Sequence, residues 1–154
     1  MLFRSRYLDT LEDVQVNHQK LYELDLAPLS CQETVERKRT DIAKTFAQAD
    51  EIVVAAPYWD LSFPSILKVY LEHVCVTGIT FHYVGYETQG LCKAKKAVYI
   101  STAGGFVGAH HLGEEYIQTV FQAMFSIPEF HTIRCEGLDL PDADPEALVA
   151  EAAL

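Results

Sequence analysis

The sequence lacks the segments that would place a protein in or across a membrane. None of its apolar runs approaches the ~18–20 residues that a membrane span requires. The first residues, MLFRSRYLDTLEDV, contain no apolar stretch like that of a signal peptide. We therefore expect a cytoplasmic protein with no membrane partner.

Cysteine is sparse, and its four residues are scattered without a CxxC pair or a Cys/His spacing suited to zinc. They are Cys31, Cys75, Cys92 and Cys135. Three of them lie in apolar or strand-like segments, where buried free thiols are typical. We expect no metal site, and free thiols favour a reducing compartment. Cys75 and Cys92 have no activating base nearby in the sequence, so we interpret both as structural.

Positive charge is in short supply as well. Twelve Lys and Arg residues against 22 Asp and Glu residues give a net charge of −10. That balance argues against a nucleic-acid groove or an anionic membrane surface as partner. The imbalance is concentrated after Cys135, where acidic residues occur and no Lys or Arg does.

The length and apolar content indicate one folded domain spanning residues 1–154. The chain has 154 residues, of which 49% are hydrophobic. A chain near 150 residues corresponds to one domain and buries about 70% of its unfolded surface.

Strand-like and helix-like segments alternate along the chain. The apolar patterns predict strands over 18–26, 51–56, 97–101 and 131–135. They predict helices over 33–49, 62–75, 113–125 and from 145 onward. Residues 76–96 form a long connection that contains a small hairpin. Strict alternation predicts parallel strands with helical crossovers, and hence an α/β sandwich.

Two of the predicted helices have clear inward faces. In 62–75 we expect Ser62 to cap the helix and Pro64 to occupy its first turn. The inward residues there are Phe63, Ile66, Leu67, Tyr70, Leu71 and Val74. In 113–125 they are Tyr116, Ile117, Val120, Phe121 and Met124.

Ligands of such sheets bind beyond the carboxyl ends of the strands, and two strand ends have a suitable composition. The candidates are Pro57, Tyr58, Trp59, Asp60 and Leu61 after one strand, and Thr102, Ala103, Gly104 and Gly105 after the next. The first loop could lie against a flat ring, or its aromatics could pack over the following helix. The Gly pair could let the backbone approach a ligand, or form an ordinary turn.

Three stretches in order resemble the flavodoxin-like NAD(P)H-dependent quinone reductases and FMN-dependent azoreductases. They are ADEIVVAAPYWDLSFPSILKVYLEHVCVTGITFHY, GLCKAKKAVYISTAGG and IRCEGLDL. The combination of AAPYWDLSFPSILKVYLE, GITF and KKAVYISTAGG is specific, whereas any one piece alone is not. The resemblance implies a flavodoxin-like three-layer sandwich with FMN at the carboxyl edge of a five-stranded parallel sheet.

The resemblance also implies the roles of the two loops and the reaction. The 57–61 loop would lie along the isoalloxazine ring, and the 102–105 loop would hold its pyrimidine side. A homodimer would pass hydride from NAD(P)H through the flavin to a small-molecule electron acceptor, a quinone or azo compound, by a ping-pong route. The cofactor supplies this chemistry, so no catalytic side chain is expected.

The chain departs from the family pattern in places. Asp60 stands where many azoreductases carry Asn, and Val107 replaces a His, with His110 and His111 following. A carboxylate near a reduced flavin would disfavour its anionic form. His110 and His111 could approach the second substrate or be solvated loop residues.

The front of the chain departs most. The family's first strand is absent, and we expect either a truncated start or the 18–26 strand pairing with 51–56. Arg4, Ser5 and Arg6 resemble the end of the family's phosphate loop but also suit a solvated terminus. Two alternative functions stay open: an electron carrier without its own NAD(P)H turnover, and a truncated paralogue that binds no flavin.

Overall fold

Outside residues 18–26, the strands and helices lie close to the segments predicted from the sequence. The computed structural model describes residues 7–36 and 40–152, so Arg4, Ser5 and Arg6 lie outside the described residues. The strands are β1 (Glu51–Pro57), β2 (Phe81–Val84), β3 (Glu87–Gly90), β4 (Lys96–Thr102) and β5 (Glu129–Cys135). The helices are α1 (Cys31–Glu36), α2 (Thr40–Gln48), α3 (Ser65–Val74), α4 (Leu112–Thr119) and α5 (Pro145–Ala152).

Three strands form a parallel sheet in the order β1-β4-β5. Glu51 pairs with Lys96 at one end of β1 and Pro57 with Thr102 at the other, so the carboxyl ends of β1 and β4 are level. Thr102 pairs in turn with Cys135 of β5. The register therefore brings the chain segments that follow all three strands to one edge of the sheet.

Helices cover both faces of this sheet, which gives the three-layer sandwich. Tyr99 of β4 faces a large apolar cluster to which Phe46 of α2, Leu71 of α3 and Ile117 of α4 contribute. Neighbouring β4 residues face a second cluster that includes Leu148 of α5. A strand buried on both faces has to be apolar throughout, and this explains the continuous run AVYI at 97–100.

A segment of different geometry directly follows helix α4. Residues Val120–Met124 form a π-helical segment, in which the Phe125 N–H bonds to the Val120 carbonyl oxygen. The antiparallel hairpin β2–β3 docks on this segment, because the Thr88 hydroxyl donates to the Ala123 carbonyl oxygen at 2.8 Å. Gly90 completes the contact, since a Cβ at this position would overlap the Phe125 backbone.

The amino edge of the sheet is closed by a network of three side chains. The Tyr7 hydroxyl donates to Glu51 at 2.5 Å and accepts from the Lys96 ammonium at 2.8 Å. Burial and the hydrogen bond to the Glu51 carboxylate raise the pKa of Tyr7. The hydrogen bond from Lys96 to Tyr7 raises the pKa of Lys96. Residues at the starts of β1 and β4 are thereby linked.

The strand predicted over 18–26 is wrong. The segment contains a 3-10 turn at Leu21–Glu23 and belongs to neither sheet among the described residues. The turn packs on α3, and the His73 ring bonds to the Ala27 carbonyl oxygen at 3.0 Å. Asp25 has a φ of 48°, which interrupts an extended chain. The expected pairing of 18–26 with β1 therefore does not occur, and the described residues place three strands in the parallel sheet rather than five.

Smaller corrections concern the helices. Helix α3 begins at Ser65, and Ser62 pairs with Trp59 instead of capping it. Tyr116 is exposed rather than inward. The helix predicted over 33–49 corresponds to α1 and α2, with residues 37–39 outside the described residues.

The thiols and the C-terminal helix match expectation. All four cysteines are free, and Cys92 and Cys135 are buried, whereas Cys31 is exposed. Burial, with a smaller contribution from Cys75, raises the pKa of the Cys92 thiol to about 12, which keeps it protonated and structural. Asp144 caps α5 by accepting two backbone N–H groups at 3.1 Å. No helix in the described part of the chain is both long and apolar enough to cross a bilayer.

Candidate functional site

The two loops predicted from the sequence lie side by side at the carboxyl edge of the sheet. The Tyr58 N–H donates to the Thr102 carbonyl oxygen at 2.7 Å, which extends the β1–β4 pairing by one residue. The Ala103 N–H donates to the Cys135 carbonyl oxygen at 2.8 Å, and this holds the 102–105 loop against β5. The geometry thus joins segments that are more than forty residues apart in the chain.

The 57–61 loop is a tight two-residue turn with unusual backbone angles. Trp59 and Ser62 exchange two backbone hydrogen bonds, of 3.0 and 2.8 Å, around Asp60 and Leu61. Both central residues have positive φ, 50° and 65°, as a type I′ turn requires. Asp tolerates this region, but for a bulky residue such as Leu it costs on the order of 1–3 kcal/mol.

This turn presents apolar surface and unused donors together. Trp59 is 55% exposed and Leu61 is 50% exposed. The N–H groups of Asp60 and Leu61 have no acceptor among the described residues. An apolar surface beside free donors suits a flat ring with polar edge atoms. Trp59 is not buried over the following helix, whereas Tyr58 is half-buried.

The 102–105 loop uses its carbonyl groups and leaves donors free. The carbonyl oxygens of Ala103, Gly104 and Gly105 accept backbone N–H groups from the segment after β5, at 2.9 to 3.2 Å. The N–H groups of Gly104 and Gly105 have no acceptor among the described residues. The two loops therefore carry four backbone donors that a ligand could engage.

The two glycines of this loop differ in what surrounds them. A Cβ on Gly104 would overlap the Asp139 carboxylate, so a side chain there requires Asp139 or the loop to move. A Cβ on Gly105 would meet nothing within 4 Å. Gly105 is thus the position where the backbone faces open space, whereas Gly104 lies against Asp139, which spacing alone did not reveal.

The chain continues from the Gly pair into a loop of residues 106–111 at the same edge. The Tyr58 hydroxyl donates to the His110 carbonyl oxygen at 3.0 Å. The Val107 N–H donates to the Glu136 carboxylate at 3.0 Å. Phe106 is 77% exposed. Three exposed apolar side chains therefore occur in neighbouring loops, those of Trp59, Leu61 and Phe106.

A small hollow lined by polar and apolar residues adjoins the 106–111 loop. Its lining includes Tyr99, Ser101 and Glu114. Arg134 of β5 also lines it and forms two hydrogen bonds to the Glu114 carboxylate, at 2.7 and 2.6 Å. This bidentate contact raises the pKa of Arg134. Burial raises the pKa of the Tyr99 hydroxyl.

Glu136, Asp139, Arg134 and Glu114 were not identified from the sequence. A usable signal existed for Glu136, because it directly follows a predicted strand whose carboxyl end had to join the same edge. The pairing of Arg134 with Glu114 depends on how α4 packs on β5, which periodicity does not specify. Among the described residues no cluster of His, Cys, Asp and Glu side chains is arranged to hold a metal ion.

A parallel sheet with helices on both faces and a loop-built site at its carboxyl edge is characteristic of doubly wound α/β proteins. The sequence matches the family model described as "Flavodoxin-like fold" over residues 3–154. The chain belongs to this flavodoxin-like family, as the resemblance implied.

Curated relatives and solved structures agree with that membership. The FMN-dependent NADH:quinone oxidoreductase 2 of Clostridium acetobutylicum is 44% identical over 112 residues, covering 70% of this chain and 56% of the relative. The FMN-dependent NADH:quinone oxidoreductase of Clostridium perfringens strain ATCC 13124 is 39% identical over 132 residues, covering 82% of this chain and 66% of the relative. The chain thus spans about half to two thirds of the length of these relatives.

The structural comparison supports the fold. An azoreductase from Bacillus anthracis str. Sterne superimposes with a TM-score of 0.82 at 19% identity, covering 98% of this chain and 83% of that one. An FMN-dependent NADH-azoreductase from Bacillus anthracis str. Ames Ancestor, in complex with FMN, gives 0.76 at 19% identity, covering 98% and 82%.

Proposed function

We propose that the carboxyl edge of this sheet binds FMN and that the protein is an FMN-dependent NAD(P)H:acceptor oxidoreductase acting on quinones or azo compounds. The observation that carries the proposal is the pair of adjacent loops with four unengaged backbone donors and exposed apolar side chains. The names of the relatives, which are NADH:quinone oxidoreductases and azoreductases, favour the same activity.

The residues present fit the ring of FMN. Its isoalloxazine is flat and apolar on its faces, and its pyrimidine edge carries carbonyl oxygens that accept hydrogen bonds. Trp59 and Leu61 supply apolar contact, while the N–H groups of Asp60, Leu61, Gly104 and Gly105 supply donors. Pro57, Tyr58, Thr102 and Ala103 hold the two loops in register rather than offering free groups.

The cofactor would supply the redox chemistry. When bound, FMN would accept hydride from NAD(P)H and pass two electrons and one proton to the acceptor, which would take one further proton from solvent, so that a quinone leaves as its hydroquinone. The protein's own task is to orient the ring, keep one face open for the exchanging substrates and set the local charge. Asp60 adds a carboxylate to this surface, which we expect to lower the affinity for anionic reduced flavin.

The test begins with binding. Trp59 is the single tryptophan of the chain, so the intrinsic tryptophan fluorescence reports on the proposed site alone. Titration of the purified protein with FMN is expected to quench this fluorescence, and Trp59→Phe serves as the blank. Riboflavin in a parallel titration separates ring recognition from phosphate recognition.

Turnover is tested on the loaded protein. Under anaerobic conditions NADH or NADPH should bleach the bound flavin, and a quinone or an azo dye should restore its absorbance. A flavin that is reduced by dithionite but not by either nicotinamide would indicate the electron carrier instead. A protein that gains neither quenching nor a thermal shift with excess FMN would leave the paralogue without flavin as the function.

We also propose that the chain is one domain, works as a homodimer and is cytoplasmic. The two apolar clusters on opposite faces of one sheet support the single domain. The implied family assembly supports the dimer, which size-exclusion chromatography with light scattering would test. Free thiols support the compartment, and fractionation of cells producing the protein would test it.

A further inference from the structure

The 106–111 loop adjoins a small hollow that is lined by both polar and apolar residues. Tyr99, Ser101 and Glu114 face that hollow from the sheet and from α4, and Val107 and His111 line it from the loop. Phe106, Gly108, Ala109 and His110 are exposed. Because four of its six residues are exposed, burial fixes little of this loop, and its hydrogen bonds to other segments matter for its position.

Two side chains from outside the loop supply such bonds. The Glu136 carboxylate accepts the Val107 N–H at 3.0 Å, close to the start of the loop. The Tyr58 hydroxyl donates to the His110 carbonyl oxygen at 3.0 Å, close to its end. The loop's own bond, from the His110 N–H to the Val107 carbonyl oxygen, is long at 3.4 Å. The external contacts are thus the shorter ones.

Both contacts start from the strand ends that form the proposed flavin site. Tyr58 follows β1 and Glu136 follows β5, and both bonds cross to the chain that leaves β4. Arg134, two residues before Glu136, directs its hydrogen bonds to Glu114 and interacts with Glu136 through charge alone, so the Glu136 carboxylate accepts the Val107 N–H beside a nearby cation. The loop is therefore tied to the strands on either side of β4.

We propose that Glu136 and Tyr58 are positioning residues that hold the 106–111 loop as a wall of the ligand site, with the exposed Phe106 ring as its apolar face toward an aromatic electron acceptor. The wall rests on the proposed function, since it assumes that a ligand occupies the adjacent loops. The holding of the loop by the two side chains does not depend on that assumption and is tested separately.

Amide exchange tests the holding in the protein without any ligand. Glu136→Leu removes the acceptor with little change in size, and Glu136→Gln keeps an acceptor oxygen but loses the charge. We expect the Val107 amide to be protected in the wild type, to exchange about tenfold faster in the Leu variant, as for the loss of a hydrogen bond of about 1.4 kcal/mol, and to keep most of its protection in the Gln variant. Glu129→Leu, at the opposite end of β5, is the matched control and should leave this amide unchanged.

Ligand measurements test the wall. In the FMN-loaded protein, Glu136→Leu should raise the KM for an aromatic quinone several-fold with a smaller change in kcat, and should weaken the quenching of Trp59 by FMN. Glu136→Gln should restore both. Tyr58→Phe, which removes the second bond, should change the KM in the same direction, and Phe106→Ala should raise the KM without altering Val107 exchange.

The outcomes separate the claims. Equal rates of Val107 amide exchange in the wild type and in Glu136→Leu would refute the claim that Glu136 holds the 106–111 loop in place. Faster Val107 exchange in Glu136→Leu, with an unchanged KM and unchanged quenching of Trp59, would refute the claim that the 106–111 loop forms a wall of the ligand site. A wild type that binds no FMN would refute the proposed function together with the wall, while the exchange data would still decide whether the side chains hold the loop. Thermal melts of every variant exclude global unfolding as the cause.

Discussion

The two edges of the parallel sheet differ in whether their polar groups are paired within the protein. At the amino edge, Tyr7, Glu51 and Lys96 satisfy one another through short side-chain hydrogen bonds. At the carboxyl edge, Leu61 is held at positive φ, backbone donors lack acceptors in the described structure, and Trp59 is exposed. The same strands connect the two edges, so the difference lies in the loops.

This contrast indicates that the amino edge contributes mainly to stability and the carboxyl edge mainly to binding. A satisfied network contributes to folding and offers little to a ligand. Strained backbone and free donors lower stability, and they persist where the surrounding structure enforces them. We therefore expect substitutions at the amino edge to change the free energy of unfolding, and substitutions at the carboxyl edge to change binding as well.

The largest expected effect is at Gly104. Gly104→Ala should destabilise the protein by about 1–3 kcal/mol, because the new Cβ would overlap Asp139 and force the loop or that side chain to move. Urea unfolding would measure the loss. Gly104→Ala combined with Asp139→Ala should recover most of it.

Gly105→Ala is the matched control, since its Cβ would enter open space. It should leave the free energy of unfolding nearly unchanged but weaken FMN binding, because the added methyl group would occupy the space proposed for the ligand. Equal stability losses at Gly104 and Gly105 would contradict the assignment of different roles to the two glycines.

At the amino edge, Tyr7→Phe should lower the free energy of unfolding by about 1 kcal/mol, the typical contribution of a hydrogen bond. The hydroxyl removed links Glu51 and Lys96. FMN affinity should not change, because the network lies at the far end of the strands. Tyr22→Phe, on an exposed tyrosine, is the control and should change neither the free energy of unfolding nor the FMN affinity. A weakened FMN affinity in Tyr7→Phe would contradict the claim that the amino edge affects stability but not binding.

At the 57–61 turn, the direction of the effect depends on the new side chain. Leu61→Gly relieves a left-handed conformation that costs about 1–2 kcal/mol, but part of the gain is offset by the roughly 0.5–1 kcal/mol of extra chain entropy of glycine. The net change should be a small stabilisation, seen as a higher melting temperature. Leu61→Val should be destabilising, since β-branched residues disfavour positive φ.

Leu91→Val provides the comparison for this pair. Leu91 is exposed to a similar degree, 43%, and does not have positive φ. If Leu61→Val and Leu91→Val lose the same stability, the strain at Leu61 is not an energetic feature of the turn.

The smallest expected effect is an alkaline dependence of the amino edge. Because the folded pKa values of Tyr7 and Lys96 are raised, their contribution is fully present below the ordinary values of 10.0 and 10.5. It is lost as pH rises through the higher folded values. The stability difference between the wild type and Tyr7→Phe should therefore be constant near neutral pH and shrink in strongly alkaline solution. Urea titrations across that range would measure it, and a difference that grows with pH would reverse the assigned direction.

Much of the fold could be predicted because periodicity reports burial. The run EIVVAA at 51–56 and the helix that contains Leu67 and Leu71 were found at nearly their observed positions. The strand predicted over 18–26 was wrong because alternating apolar residues suit both a strand and a surface segment that packs across a helix. Packing on α3 decides between them, and that contact is not local in sequence.

For the candidate site, the sequence predicted that the two loops would lie together, but not the details of their structure. Composition and the strand-end rule indicated both loops, and the register of β1 with β4 brings them together. Positive φ at Leu61, the collision of a Gly104 side chain with Asp139 and the bond from Val107 to Glu136 are products of three-dimensional packing. No residue pattern along the chain encodes them.

The π-helical segment at Val120–Met124 has a consequence for how this chain tolerates length changes. A π turn accommodates one residue more than an α-helical path would, so deleting one residue there would restore a regular helix. Because the extra residue is absorbed within the π turn itself, the residues before and after it would keep nearly the same rotational positions about the axis. The same deletion in the regular part of α4 would rotate all following residues by roughly 100°. Phe125 would then leave its contact with Phe46, and Ser126 would leave the Gly90 amide to which it is bonded at 2.8 Å. The π-helical segment is therefore the place where this helix can lose one residue while the hairpin and β5 stay attached in their present positions.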